Sequence, residues 1–398
     1  MNDARPGAPA ILIVGAGIGG LTAALALARA GFAVTVLERA AALEAVGAGI
    51  QITPNASRVL VGLGLRAALA EVAVRPEGMD VRAGGDGTVL VSAELGAPIE
   101  ARYGAPWWMV HRADLQAVLA AAVGREPNIR LVLGAAVEAV RREAGAIFVT
   151  AGGPTGRETH SAAALIGADG LWSATRALIG DAKPPDFRGR TAWRALLPRA
   201  AVPPDVSLER LGLWLGPGAH LVHYPVRAGA ALNLVAVVSD PVRHAGWTGA
   251  GDPAVLARRF AGWCREARAL IAAPPSWMTW SLADRPTWFG PGEGAMTLIG
   301  DAAHPMLPFL AQGGAMAIED AAVLAKAAAA RPGHLAAAFR DYERQRSRRV
   351  GAVQRGARAN GRIYHLEGPV GWARNTAMRL VGGRQLIAGH DWIYRFEA

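Results

Sequence analysis

Three clusters of residues could do chemistry. The first is Gly15-Ala16-Gly17-Ile18-Gly19-Gly20, which follows the apolar run Leu12-Ile13-Val14 and opens an alanine-rich stretch. Gly15 permits a tight turn, Gly17 lets the backbone approach a pyrophosphate, and Gly20 lets a helix pack closely on a strand. The helix N-terminus then offers unpaired N–H groups and the positive end of its dipole to an anion. Glu38, with Arg39 beside it, ends the next apolar run about 20 residues later, where an acid can hold ribose hydroxyls. An acid there favours a free 2′-hydroxyl, hence FAD or NAD rather than NADP. The second cluster is Gly300-Asp301-Ala302-Ala303-His304-Pro305 followed by Gln312-Gly313-Gly314. It offers a carboxylate for a sugar hydroxyl and another helix start for an anion or a ring carbonyl. The third is Gly167-Ala168-Asp169-Gly170 running on to Arg176, where Asp169 is either a ligand contact or a helix cap.

These clusters need elements to hold them. A β-α-β unit is expected from Ile11–Val14, Leu21–Ala30 and Val34–Leu37, with helices at Pro54–Leu69 and Arg112–Val123. Val72–Ser92 reads as strands around Gly84-Gly85-Asp86-Gly87. After Lys183-Pro184-Pro185 come Thr191–Leu197, Ser207–Leu215, His220–Val226 and Ala231–Val238, whose apolar alternation predicts an antiparallel sheet. On the third of these, His220 and Tyr224 lie four apart and so share a face, with His223 turned outward. Helices are expected at Asp252–Cys264, Glu266–Ala272, Gly313–Ala329 and His334–Ile363, with Thr297–Ile299 as a further buried strand.

Composition narrows the class. The 398 residues are 52% hydrophobic and 19% charged, which excludes a disordered or fibrous chain. One cysteine, Cys264, excludes an internal disulfide, a CxxC pair and a zinc ribbon. It falls in an expected helix and reads as a packing residue; no metal site is expected. Of the net charge of +10, +7 lies in Phe339–Ala398, which holds twelve arginines and five acids. Without stacked aromatics or a finger pattern, this reads as a solvated helix face, and no nucleic-acid partner is expected. The uncharged run Pro6–Ala28 is long enough to span a bilayer, but its glycines fit a strand, turn and helix better. Only Arg5 precedes it, unlike a signal peptide, so a cytoplasmic protein with no membrane partner is expected.

The N-terminal fingerprint, the central GADGxxSxxR and the late GDAAHP, in that order across Ile11–Ala329, resemble the single-component FAD-dependent aromatic monooxygenases of the para-hydroxybenzoate hydroxylase fold. Gly47-Ala48-Gly49-Ile50-Gln51, His111-Arg112-Ala113-Asp114-Leu115 and the ending Asp391-Trp392-Ile393-Tyr394 look like the branch of salicylate hydroxylase, 3-hydroxybenzoate 6-hydroxylase and 6-hydroxynicotinate 3-monooxygenase. The resemblance implies an α/β protein: a discontinuous Rossmann-like FAD domain (8–75, 106–183, 281–335), a smaller α+β substrate domain with a mixed or antiparallel sheet (76–105, 184–280), and a helical C-terminal region (336–398).

It further implies that Gly15, Gly17, Gly20, Glu38, Arg39, Arg112, Asp169, Asp301, Gly313 and Gly314 meet resident FAD. Residues Pro308 to Gly314 would lie beside the isoalloxazine ring. His220 and Tyr224 resemble the family's HxxxY pair, which helps deprotonate the substrate hydroxyl, and a histidine of ordinary pKa about 6.5 suits such a base. Gln51, Tyr103, Arg194 and Pro308 are further pocket candidates; Arg194 would hold a carboxylate, and the position of Gln51 is a histidine in some relatives. The implied reaction is hydroxylation of a small aromatic acid by O2 through a flavin C4a-hydroperoxide. With no second dinucleotide fingerprint, NADH or NADPH would dock transiently. An epoxidase, an N-hydroxylase or a urate-type hydroxylase on the same scaffold stays open, as does monomer against homodimer.

Overall fold

The computed structural model describes residues 10–43, 47–143, 145–153, 156–242 and 247–398. Pro6–Pro9, the start of the uncharged run, lie outside these. A five-stranded sheet carries the first half of the architecture, in the order Met296–Leu298, Ala164–Gly167, Ala10–Val14, Ala33–Glu38, Ile129–Leu133. Every neighbouring pair is parallel. A parallel sheet is covered on both faces, so its strands are apolar throughout; Ile11, Leu12, Ile13, Leu165 and Ile166 are all fully buried. The helices Ile18–Arg29 and Gly313–Ala330 pack beside one another against it. The loops after Val14, Glu38, Gly167 and Leu298 all leave the same carboxyl edge, where open α/β sheets bind ligands. The three chemical clusters therefore converge.

The second sheet has eight strands: Thr248–Gly251, Trp277–Asp284, Asp186–Pro198, Ala231–Ser239, Ala219–Val226, Arg210–Gly216, Gly78–Ala83 and Val89–Glu94. Only Arg210–Gly216 and Gly78–Ala83 pair in parallel, so the sheet is mixed. Period two divides it. Trp193, Trp214, Leu221 and Leu234 face the helices Pro253–Arg259 and Arg265–Ala272, while Val81, Leu213 and Tyr224 face the other way, onto Met109.

Several local expectations need correction. Pro54–Leu69 is two helices, Pro54–Gly62 and Arg66–Val72, because Gly64 turns at φ +68° between them. Cys264 is not within a helix; it stands at the N-cap of Arg265–Ala272. His223 is not turned to solvent. It is 5% exposed, packed against Gly212 and the Trp214 ring, and burial then Arg82 lowers its pKa to about 4. The ribbon Gly49–Ile52 with Trp108–His111, the helix Gly96–Tyr103 and the strands Thr248–Gly251 and Trp277–Asp284 carry weak local signals. They are held by distant partners instead: Gly251 sits where a Cβ would strike the Trp193 ring.

The C-terminal region is helical, with Leu335–Tyr364, Gly368–Ala388 and Asp391–Tyr394. Its arginines are only partly a solvated face. Arg344, Arg348, Arg355 and Arg362 are exposed. Arg346, however, is fully buried between Glu319 (2.5 Å) and Asp320 (2.6 Å). Arg349 pairs with Glu319 and Arg358 with Asp284. These three of the tail's twelve arginines are thus paired with acids elsewhere in the fold. Among the described residues no helix is long and apolar enough to cross a membrane, and none of their side chains form a metal-binding cluster.

Candidate active site

A cleft of about 430 Å3 opens at the carboxyl edge of the parallel sheet, lined by Gly15, Gly17, Glu38, Arg39, Arg112 and Asp169 among others. Gly15 turns at φ +104°, and a Cβ there would stand 2.6 Å from the carbonyl of Ala168. A Cβ on Gly20 would collide with the Gly15 carbonyl, so this glycine sets the contact of helix on turn. Between them Ala16 is clamped on both sides. Its N–H donates to Glu38 Oε2 (2.7 Å), and its carbonyl accepts from Gln116 Nε2 (2.7 Å). Glu38 Oε1 also accepts from the Ala40 N–H (2.9 Å). Glu38 thus fixes the loop before it meets any ligand. Gln116 was missed in the sequence, although it lies one helical turn beyond Arg112 and so shares its face.

Asp169 is not the helix cap, a place taken by Ser173, but it braces that cap. Its carboxylate accepts from Ser173 Oγ (2.5 Å) and the Thr175 N–H (2.9 Å), organising a short helix, and it still lines the cleft. Arg176 at the end of the same motif is buried and ion-paired to Asp181. It donates to the carbonyls of Ala302 and Ala303 (3.0 and 3.1 Å), tying the central motif to the late one. In the late motif, His304 Nε2 lies 2.6 Å from Asp320 Oδ2, which also accepts the Gly300 N–H. Asp301 has no hydrogen-bond partner among the described residues. Burial raises its pKa, opposed by His304 and Arg112. Asp301 is itself exposed. Gly313 and Gly314 open the adjacent helix; a Cβ on Gly313 would lie 3.8 Å from Asp301 Oδ1.

The donor set fits a dinucleotide. Gly17 precedes the helix Ile18–Arg29 in extended backbone, and nothing stands within 4 Å of where its Cβ would be, so a pyrophosphate can approach the helix start. Asp301 supplies the free carboxylate.

A second cavity, about 240 Å3, lies under the mixed sheet. Gln51, His220 and Pro308 line it, with Phe309, Val222, Leu213 and Met79 as apolar wall. Tyr224 shares the strand face of His220 but does not line this cavity; its ring packs over Gly49 and Asn233, and burial raises its pKa against the pull of Arg194. Arg194 does not line it either. Its guanidinium lies 5.0 Å over the Trp280 ring, and its Nε is buried without a partner. Tyr103 is outside the pocket: its hydroxyl donates to Asp391 (2.5 Å), and burial then that bond raise its pKa to about 12. Asn360, Tyr364, His390 and Tyr394, from the helical tail, complete the lining and were not identified in the sequence. Only the Tyr394 ending gave any signal, because helical period says nothing about which domain a tail covers.

Comparison with known proteins decides the family. Residues 9–357 match the FAD binding domain family. The chain is 38% identical over 393 residues to a 3-amino-4-hydroxybenzoate 2-monooxygenase of Streptomyces platensis, covering 98% of this chain and 96% of the relative. It belongs to the FAD-dependent aromatic monooxygenases. A 3-hydroxybenzoate 6-hydroxylase of Polaromonas naphthalenivorans is 33% identical over 99% of this chain and 97% of its own length. The crystal structure of Klebsiella pneumoniae HpxO with FAD and uric acid superimposes with a TM-score of 0.84 at 29% identity, covering 98% and 97% of the two chains. In this monooxygenase FAD is the resident cofactor, and the first cleft offers Gly15, Gly17 and Glu38 to it.

Proposed function

We propose that this monooxygenase hydroxylates a single-ring aromatic (hydroxy)acid of the hydroxybenzoate or hydroxynicotinate kind, using NADH or NADPH and O2. The observation that carries the reading is His220: a buried imidazole set in the wall of an otherwise largely apolar pocket of about 240 Å3. Pockets for drug-sized ligands run to ~300–1,000 Å3, so this one suits a single ring. Relatives over nearly the whole chain length are named for acting on 3-amino-4-hydroxybenzoate, 3-hydroxybenzoate and 6-hydroxynicotinate, which supports the class.

FAD, when bound, would supply the redox chemistry of reduction by the nicotinamide and activation of O2. The chain does the rest. Phe309 and Val222 belong to the apolar wall of the cavity and would exclude water from a bound ring, water that would otherwise divert the oxygen to peroxide. His220 Nε2 takes the proton of the ring hydroxyl, and the resulting oxyanion is the better nucleophile. Among the described residues, no arginine or lysine lines the pocket. The substrate carboxylate would therefore meet polar side chains without a fixed charge, with Gln51 and His390 lining the cavity.

The test is NADH oxidation under air with salicylate, 3- and 4-hydroxybenzoate, 3-amino-4-hydroxybenzoate, 6-hydroxynicotinate and urate, products read by mass. One aromatic acid is expected to accelerate NADH loss and gain one oxygen. His220→Ala is expected to slow hydroxylation by about 100-fold and divert NADH into peroxide. Acceleration by urate alone would replace the benzoate reading.

A further inference from the structure

His220 does not meet the pocket alone. Its Nδ1 lies 2.8 Å from Nε2 of His365, the residue after the long helix Leu335–Tyr364. His365 Nδ1 in turn lies 3.3 Å from Oγ of the exposed Ser239, and 3.3 Å from Arg190 Nε, which donates to it. His220 Nε2, at the opposite corner of its ring, has no partner among the described residues. The path from pocket to surface is unbroken, and aromatic edges insulate it: Phe309 and Tyr364 stand 5.4 and 5.3 Å from the His220 ring. Arg190 is itself held by the Gly361 carbonyl (2.9 Å) and lies over the Phe309 ring.

The charged groups facing this pair are cations: Arg190 from the strand Asp186–Pro198 and, for His365, Arg374 from the helix Gly368–Ala388. A carboxylate beside an imidazole stabilises its protonated form; a guanidinium does the reverse. Burial, then His365 and Arg190, hold the His220 pKa well below its ordinary value. Burial, then Arg190 and Arg374, lower His365 to about 3. At neutral pH both rings are uncharged, and neither can store a proton. A ring that cannot keep a proton can still pass one on.

We propose that His220 and His365 form a two-imidazole proton wire that carries the proton of the bound ring hydroxyl out to solvent at Ser239, with Arg190 setting its direction. The proposal rests on the functional reading above. The hydroxyl gives its proton to His220 Nε2, the Nδ1 proton of His220 passes to His365 Nε2, and the Nδ1 proton of His365 leaves to water beside Ser239. On each ring one N–H bond forms and one breaks, so both end neutral and the negative charge stays on the substrate oxygen. The Arg190 contact in the structure is that of the state after transfer, with the His365 Nδ1 lone pair accepting the Arg190 N–H; in the state before transfer Nδ1 carries a hydrogen that opposes it. Arg190 therefore favours the ionised substrate, and His220 Nε2–H is left hydrogen-bonded to the oxyanion. A proton returning by the same path resets the wire. His365 is thus a positioning and relay residue, not a group that touches substrate.

The experiment uses oxidised holoenzyme with 3-hydroxybenzoate as probe, following ionisation of the bound phenol by ultraviolet difference spectra across pH. In His365→Phe the half-ionisation pH is expected to rise by about one unit, a tenfold loss, with KM and FAD content unchanged. The solvent proton inventory on turnover, curved in the wild type because more than one proton moves, should become linear. Arg190→Gln should raise the half-ionisation pH in the same direction, and it carries the test if His365→Phe fails to retain FAD. An unshifted half-ionisation pH in both variants, with a shift in His220→Gln, overturns the wire and leaves the hydroxylase reading standing. Wild-type enzyme that neither ionises the probe nor hydroxylates any phenol of the panel overturns the reading, and the wire with it.

Discussion

Asp284, Glu319 and Asp320, three enclosed acids of this protein, are each paired with arginine, whereas Asp301 keeps a carboxylate with no such partner at the mouth of the helix Gly313–Ala330. An acid left unpaired at a helix start is poised for hydroxyl donors from a ligand. Asp301→Ala should therefore leave a folded protein whose FAD is lost about 10- to 100-fold more readily, the range for hydrogen bonds to a charged group. Flavin absorbance retained after dialysis measures this, and full retention would remove Asp301 from the cofactor site. Tyr103 shows the reverse case. It is a phenol that looked available in the sequence but is consumed by Asp391, Arg102 and the edge of the Tyr394 ring. A residue's type and approximate position were legible; whether its polar atom was already spent was not.

At the scale of elements, the central and late motifs are joined by one side chain. Arg176 leaves a short helix, pairs with Asp181, and donates to two carbonyls in the turn that carries Asp301. It also donates to the carbonyl of Pro286 and stands over the Trp288 ring. Burial lowers its pKa and Asp181 opposes that shift, so the guanidinium depends on its partners. Arg176→Met removes the charge, takes a donor from the carbonyls of Ala302, Ala303 and Pro286 and leaves Asp181 to Arg285, a change expected to cost about 3–5 kcal/mol. Urea denaturation of the holoenzyme should show it as a lower midpoint at unchanged slope. A midpoint equal to wild type would mean that the two motifs are joined by packing alone. The motif was recognisable in sequence as a spacing. Its mechanical role was not, because the acceptors lie 126 and 127 residues away.

Across the whole molecule, the long helix Leu335–Tyr364 is locked to the helix Gly313–Ala330 through Asp320. Burial alone would raise its pKa, but His304 and Arg346, with hydrogen bonds from His304 and the Gly300 N–H, bring it to about 2 against an ordinary 3.8. A depressed carboxylate pKa contributes stability that is complete above the unfolded value and is lost as pH falls through the folded one. Acid unfolding followed by far-ultraviolet circular dichroism should accordingly deepen between pH 3.8 and about 2. Asp320→Asn should flatten that limb while lowering stability at neutral pH. An unchanged acid limb would place the lock elsewhere. Arg346 on the other side of this lock lies in the stretch that looked most like a solvated basic surface.

The sequence by itself determined the dinucleotide turn, because the glycines, the strand before them and Glu38 are all local and each is set by backbone geometry. It also determined the family, since three motifs in fixed order survive in the residues themselves. The face shared by His220 and Tyr224 followed from period two alone. Only the tertiary structure decided what surrounds them. Tyr224 and Arg194 fell outside the cavity, and the tail supplied Asn360, Tyr364, His390 and Tyr394 to its wall. His365 came within 2.8 Å of a histidine 145 positions earlier. Helical period records which face of a tail is apolar and nothing about what that face covers, so contacts made across such distances in the chain exist only once the two sheets have closed on each other.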